Sequence, residues 1–176
     1  MQRIILLVAM FALTLSGAQA QGKYEINEGR NLPAQPKSHV GDYANVIDGQ
    51  AERRLETKLA LLRKRAAIEF VVVTVETTGA EDIFDYSLAA ARRWKRGSGA
   101  NDKGGILLMI AVKDRKWRIQ LTRNLEGDLP DEVLKEHGDK MTGPFRQGNM
   151  GAGVNLFVDG VIAHLAERRA FKNTVN

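Results

Sequence analysis

Glu69-Phe70-Val71-Val72-Val73-Thr74-Val75 is the stretch that decides the fold class. It is rich in β-branched residues and has little polar alternation, which suits a strand covered on both faces rather than one with a wet side. A second apolar run, Ile106 to Val112, lies downstream. Between the two runs, Thr78-Gly79 turns the chain. A helix predicted from about Ala80 to Lys95 then presents Ile83, Tyr86, Ala90 and Trp94 on one face. The segment Gly97 to Gly105 is too glycine-rich for a helix or strand and reads as the loop that feeds the second run.

Working outward, Ala51, Leu55, Leu59 and Leu62 recur at helical spacing behind Asp48, a side chain suited to capping a helix. After Val112, the pair Lys113-Asp114 reads as a hairpin turn, because Trp117, Ile119 and Leu121 then alternate with Lys116, Arg118 and Gln120. Leu129-Pro130-Asp131 opens a short helix with Val133, Leu134 and His137, and Gly143-Pro144 interrupts the next segment. Asn149 starts a last helix with a broad stripe of Val154, Phe157, Val158, Val161, Ile162 and Leu165. The order helix, strand, helix, strand, strand, helix, helix predicts a three-layer α/β/α sandwich around a small mixed β-sheet that includes a hairpin.

The start of the chain has a different character. Arg3, an apolar run from Ile4 to Leu15, and Ala18-Gln19-Ala20 are the three parts of a secretory signal peptide, with cleavage expected after Ala20. The run is shorter than the roughly 20 residues a membrane-spanning helix needs. Residues 21–39 read as a flexible leader tethered by Leu32-Pro33 and Val40, residues 40–170 as one domain, and residues 171–176 as a tail. A periplasmic or secreted product with no transmembrane anchor after signal removal is expected. With 26 Lys plus Arg against 21 Asp plus Glu the chain is modestly basic, and with no cysteine it has no disulfide, thiol nucleophile or cysteine metal site.

Polar residues at the ends of apolar elements are the first candidates for chemistry: Asp42 and Asn45, Asn101 and Asp102, Asp114 and Arg115, then Glu126, Asp128 and Asp131. Carboxylates converging beside a sheet would suit a hard cation held by oxygen. The alternative is local: Asp42 and Asp48 making turn or cap bonds, Asp114 filling a hairpin turn and Asp131 opening a helix. The glycine loop matches neither phosphate-binding fingerprint. His39, His137 and His164 lack metal-ligand spacing, and Ser87 and Ser98 lack a nucleophile-elbow setting. Basic clusters at Arg63-Lys64-Arg65, Arg92 to Arg96, Lys113 to Arg118 and Arg168 to Lys172 alternate with acids and accompany no nucleic-acid module.

Taken in order, these segments resemble the TPM-domain family. Val40-Gly41-Asp42-Tyr43-Ala44-Asn45-Val46-Ile47 is similar to its V-x-D-x-A opening, and Asn101-Asp102-Lys103-Gly104-Gly105-Ile106-Leu107-Leu108 to its D-N-G-x-L-L element. The likeness continues through Phe70 to Val75, Trp94, Val112 to Ile119, Asn124 to Asp131 and Gly143-Pro144-Phe145. It implies a compact α/β/α domain that serves either as an accessory module for an envelope protein complex or as an acid-phosphatase-like phosphomonoester hydrolase. It also implies binding of a divalent cation, calcium or magnesium. On the enzyme reading, Asp42, Asp102 and Arg115 are catalytic and Asp42, Asp102, Glu126 and Asp131 hold the metal. Thr122-Arg123-Asn124-Leu125-Glu126 departs from the family's G-Y-G-L-E, losing both glycines and the tyrosine.

Overall fold

The computed structural model describes residues 24–27 and 30–171; residues 1–20, expected to be a signal peptide, and residues 172–176 of the expected tail lie outside the described residues. A two-stranded antiparallel ribbon, β1 (Tyr24–Asn27) and β2 (Arg30–Pro33), precedes the main sheet. That sheet runs in the order β3 (Val40–Asp42), β4 (Ile68–Val75), β5 (Gly104–Ala111), β6 (Lys116–Leu121). The first three strands are parallel and β6 is antiparallel to β5, so the sheet is mixed and ends in the expected hairpin.

All eight residues of β4 and all eight of β5 are buried, as their apolar runs require. Successive side chains leave opposite faces. Ile68, Phe70, Val72, Ile106, Leu108 and Ile110 therefore pack with α1 (Gly49–Ala66), α3 (Asp131–Arg146) and α4 (Met150–Arg169). Val71, Val73, Val75, Leu107, Met109 and Ala111 pack with α2 (Ile83–Trp94). The three-layer α/β/α sandwich is thus two cores separated by one sheet.

Helix starts follow local chemistry. Asp48 accepts from the N–H groups of Gln50 (3.0 Å) and Ala51 (2.9 Å), Asp82 from Phe84, and Asn149 from Ala152. Three sequence expectations change. Gly143-Pro144 does not interrupt α3, which runs to Arg146. Pro144 lies in the last turn, where its missing N–H removes one bond just before the helix ends, so the short helix expected there has 16 residues. The short run Val40–Asp42, too brief to show periodicity, is a third parallel strand. Part of the expected leader is packed structure: Leu32 is 1% exposed in the α2 core, and the Tyr86 hydroxyl donates to the Asn31 carbonyl at 2.9 Å. Leu32-Pro33 does tether the segment, but the ordered unit begins before residue 40.

Candidate functional site

The loops after β3 and β5 rise from the carboxyl ends of the parallel strands, where open α/β sheets leave a crevice. Asp42 ends β3, and its carboxylate accepts from the N–H of Val46 (3.2 Å) and of Ile47 (2.8 Å) and from the Thr74 hydroxyl on β4. Thr74 Oγ1 in turn accepts from the Ala44 N–H at 3.2 Å. With Asn45 in the left-handed region at φ 55°, this bonding folds residues 43–47 into a tight loop that aims Val46 across the top of the sheet. Asp48 follows directly, its carboxyl held below the ordinary value chiefly by the Ala51 N–H at the start of α1.

Across from Val46, the β5–β6 turn closes with an Arg115 N–H to Val112 carbonyl bond of 3.2 Å, Arg115 itself adopting φ 53°. Asp114 does not merely fill that turn. It accepts from the Thr78 N–H (2.8 Å) and the Thr77 hydroxyl (2.7 Å), which hold its carboxyl below the ordinary value and pin the turn to the loop after β4. Trp117 then lies against α3 at Gly138, where a β-carbon would come within 2.3 Å of the indole, and meets Phe157 edge-on with ring centroids 5.8 Å apart.

These elements enclose a cleft of about 790 Å³. Val46, Ile110, Ala111, Val112, Trp117, Phe145 and Met150 form its apolar walls, while Arg115, Lys116 and Arg146 supply three cations. Among the described residues, Thr142 is the one hydroxyl in the lining, and no carboxylate or histidine lines it. Chemically, the cleft can hold an anionic group beside an apolar one.

The acids singled out in the sequence are not brought together. Asp42 is level with Thr74 and, through it, with Ile110. Asp102 precedes Gly104, which pairs with Ile68 at the other end of the same strands. At about 3.3 Å per residue, those levels are about 20 Å apart. Asp102 is held there by the Gly99 N–H at 3.0 Å and by Arg63 at 3.8 Å. Glu126, exposed after the 3-10 turn Arg123–Leu125, and Asp131, exposed at the start of α3, also belong away from Asp42, on the amino-end side. Arg115 and its neighbour Asp114, in the β5–β6 turn, share the carboxyl end with Asp42. The proposed cation set Asp42, Asp102, Glu126 and Asp131 therefore does not fit a single ion. Among the described residues no three His, Cys, Asp or Glu side chains group as metal ligands.

Sequence reasoning also missed a charged cluster at the amino end. Glu69, 0% exposed, lies between Arg63 of α1 and Arg96, which donates to it at 2.7 Å. Arg96 also reaches the carbonyls of Pro36 (2.6 Å) and Ser38 (3.2 Å), and burial followed by the nearby Arg63 charge lowers its pKa. Glu56 accepts from the N–H groups of His39 (3.1 Å) and Val40 (2.7 Å), completing the clamp on residues 36–40. The only signal for it in the sequence is a single acid at the head of an apolar strand. In the cleft, Arg115 and Lys116 are visible in the sequence as a basic run, whereas Val46, Phe145, Arg146 and Met150 come from distant segments.

Solved structures place this arrangement among known proteins. The N-terminal domain of a protein from P. gingivalis is 31% identical with a TM-score of 0.66, covering 78% of this chain and 87% of that one. The BA42 protein from Bizionia argentinensis is 22% identical with a TM-score of 0.57, covering 73% and 86% of the two chains. The N-terminal domain of the cg2496 protein from Corynebacterium glutamicum, at 13% identity and the same TM-score of 0.57, covers 82% and 86% and shares the fold. No curated protein matches the chain. No helix among the described residues is long and apolar enough to cross a membrane. The family and the amino-terminal sequence together assign the protein to the periplasm or the secreted fraction. The TPM domain model matches residues 40–164, the whole span from β3 into α4 that builds the cleft, so the chain belongs to the TPM-domain family.

Proposed function

We propose that this protein is an exported binding module that serves an envelope protein complex, taking an anionic and partly apolar segment of its partner into the carboxyl-end cleft. The observation that carries this reading is the lining: seven apolar side chains and three cations, with no acid or histidine among the described residues that line it. A photo-crosslinking side chain at Thr142 should capture a reproducible envelope partner, and Arg115→Glu with Arg146→Glu should abolish the adduct. An adduct unchanged by those charge reversals would overturn the reading.

The alternative is a metal-dependent phosphomonoester hydrolase, favoured by Arg115, Lys116 and Arg146, whose charges match a phosphate group. It is tested by p-nitrophenyl phosphate turnover with calcium or magnesium. Turnover lost in Arg115→Ala while the fold is retained would establish it, and equal rates in the wild type and that variant would remove it.

A further inference from the structure

The outer edge of β6 has open backbone groups whose phase can be worked out. The Thr122 N–H donates to the Gly105 carbonyl at 3.0 Å and the Gly105 N–H returns to the Thr122 hydroxyl at 2.9 Å, so these two residues face each other in the hydrogen-bonded phase of the ladder. In an antiparallel ladder such pairs recur at every second residue. Leu107 with Gln120, Met109 with Arg118, and Ala111 with Lys116 are therefore hydrogen-bonded too. Trp117, Ile119 and Leu121 consequently turn their N–H and C=O groups away from β5. These groups meet no backbone partner among the described residues, because β6 is the last strand of the sheet.

The two faces of that edge differ. Trp117, Ile119 and Leu121 lie partly buried on the side of α3 and α4, while Lys116 and Arg118 stand exposed on the other. Arg115 and Arg123 flank the strand. None of these four cations has a carboxylate within ion-pair distance among the described residues. Arg118 instead lies over the Phe84 ring, 4.8 Å from its centroid. A second copy of this chain is a poor occupant, since pairing β6 with itself sets Lys116 and Arg118 against like charges. An acidic chain is a good one.

We infer that β6 accepts an extended acidic segment of the partner protein as a fifth strand, with alternate acids facing Lys116 and Arg118 and apolar residues beside Trp117, Ile119 and Leu121. This rests on the binding-module reading and deepens it, because β6 begins at the cleft. Main-chain hydrogen bonds would supply affinity and the alternating faces specificity.

The test uses the whole exported chain and a fluorescein-labelled acetyl-(Glu-Val)4-amide peptide, followed by anisotropy and by amide hydrogen exchange. Binding should slow exchange at Trp117, Ile119 and Leu121 at least tenfold, and Lys116→Glu with Arg118→Glu should weaken it at least tenfold. Two N-methylated peptides report on the bonds themselves. Methylation of every valine should abolish binding while methylation of every glutamate leaves it intact if the strand adds antiparallel, and the reverse if it adds parallel. Equal binding of both methylated peptides, or unchanged exchange at those three amides, would overturn strand addition. If the peptide then protects Val46, Val112 and Phe145 only, the cleft reading survives alone; if it binds nowhere, both fall.

Discussion

The Thr74 hydroxyl on β4 donates to the carboxylate of Asp42 on β3, and that same Thr74 oxygen accepts from the Ala44 N–H. One buried threonine thus joins two strands and shapes the loop that carries Val46 into the cleft. Thr74→Val keeps the volume and removes both bonds. It should cost about 1–3 kcal/mol, the scale of a buried polar group left without its partner. Urea denaturation measures the loss, and Val46 resonances should move more than those of the amino-end loops.

Glu69 should be among the most sensitive polar positions. Glu69→Ala leaves Arg96 against the sheet without its counter-charge, and the expected cost is about 3–5 kcal/mol. Replacing Arg96 by Met in the same chain should recover part of it, because the uncompensated charge goes too. A double-mutant cycle with no coupling between the positions would contradict the cluster.

Gly138→Ala tests how the cleft wall is set. The added carbon would meet the Trp117 indole at 2.3 Å, so the ring must move. A destabilisation of about 1–3 kcal/mol is expected from overpacking. A changed Trp117 emission should accompany it, whereas Gly143→Ala, with open space around the site, should leave the emission alone.

Acid should weaken the fold in a definite order. His137 is lowered from 6.5 chiefly by burial, then by Lys140, with Glu136 opposing. The folded state binds its proton less readily than the unfolded chain, so stability is lost as pH falls below 6.5 toward the folded value. Asp48 and Asp114 are lowered from 3.8 by backbone N–H groups first. At Glu56 burial pushes up from 4.5, but bonds from Ser38, His39 and Val40 outweigh it. These carboxylates contribute stability above their unfolded values, and it disappears as pH falls through the lower folded ones. Calorimetry from pH 8 downward should therefore show an early small decline that His137→Gln removes, then a steeper one below about pH 4.5.

Residue patterns made much of the architecture legible. Glu69–Val75 and Ile106–Val112 announced buried strands because few polar residues tolerate both faces of a sheet. Asp48 and Asn149 marked helix starts through their own short-range bonds. Lys113-Asp114 marked the hairpin. Val40–Asp42 was harder, since three residues are too few to show a period, and with that strand unseen Asp42 could be assigned to no end of the sheet.

Composition and spacing by themselves determined an exported α/β/α domain with two strands buried on both sides, because burial demands apolar side chains wherever it occurs. Only the tertiary structure decided which loops meet. In a parallel sheet, a residue that follows a strand and one that precedes a strand lie at opposite ends, so Asp42 and Asp102 are separated by the strand's own length. Val46, Arg115 and Arg146, remote in the chain, instead share one cleft.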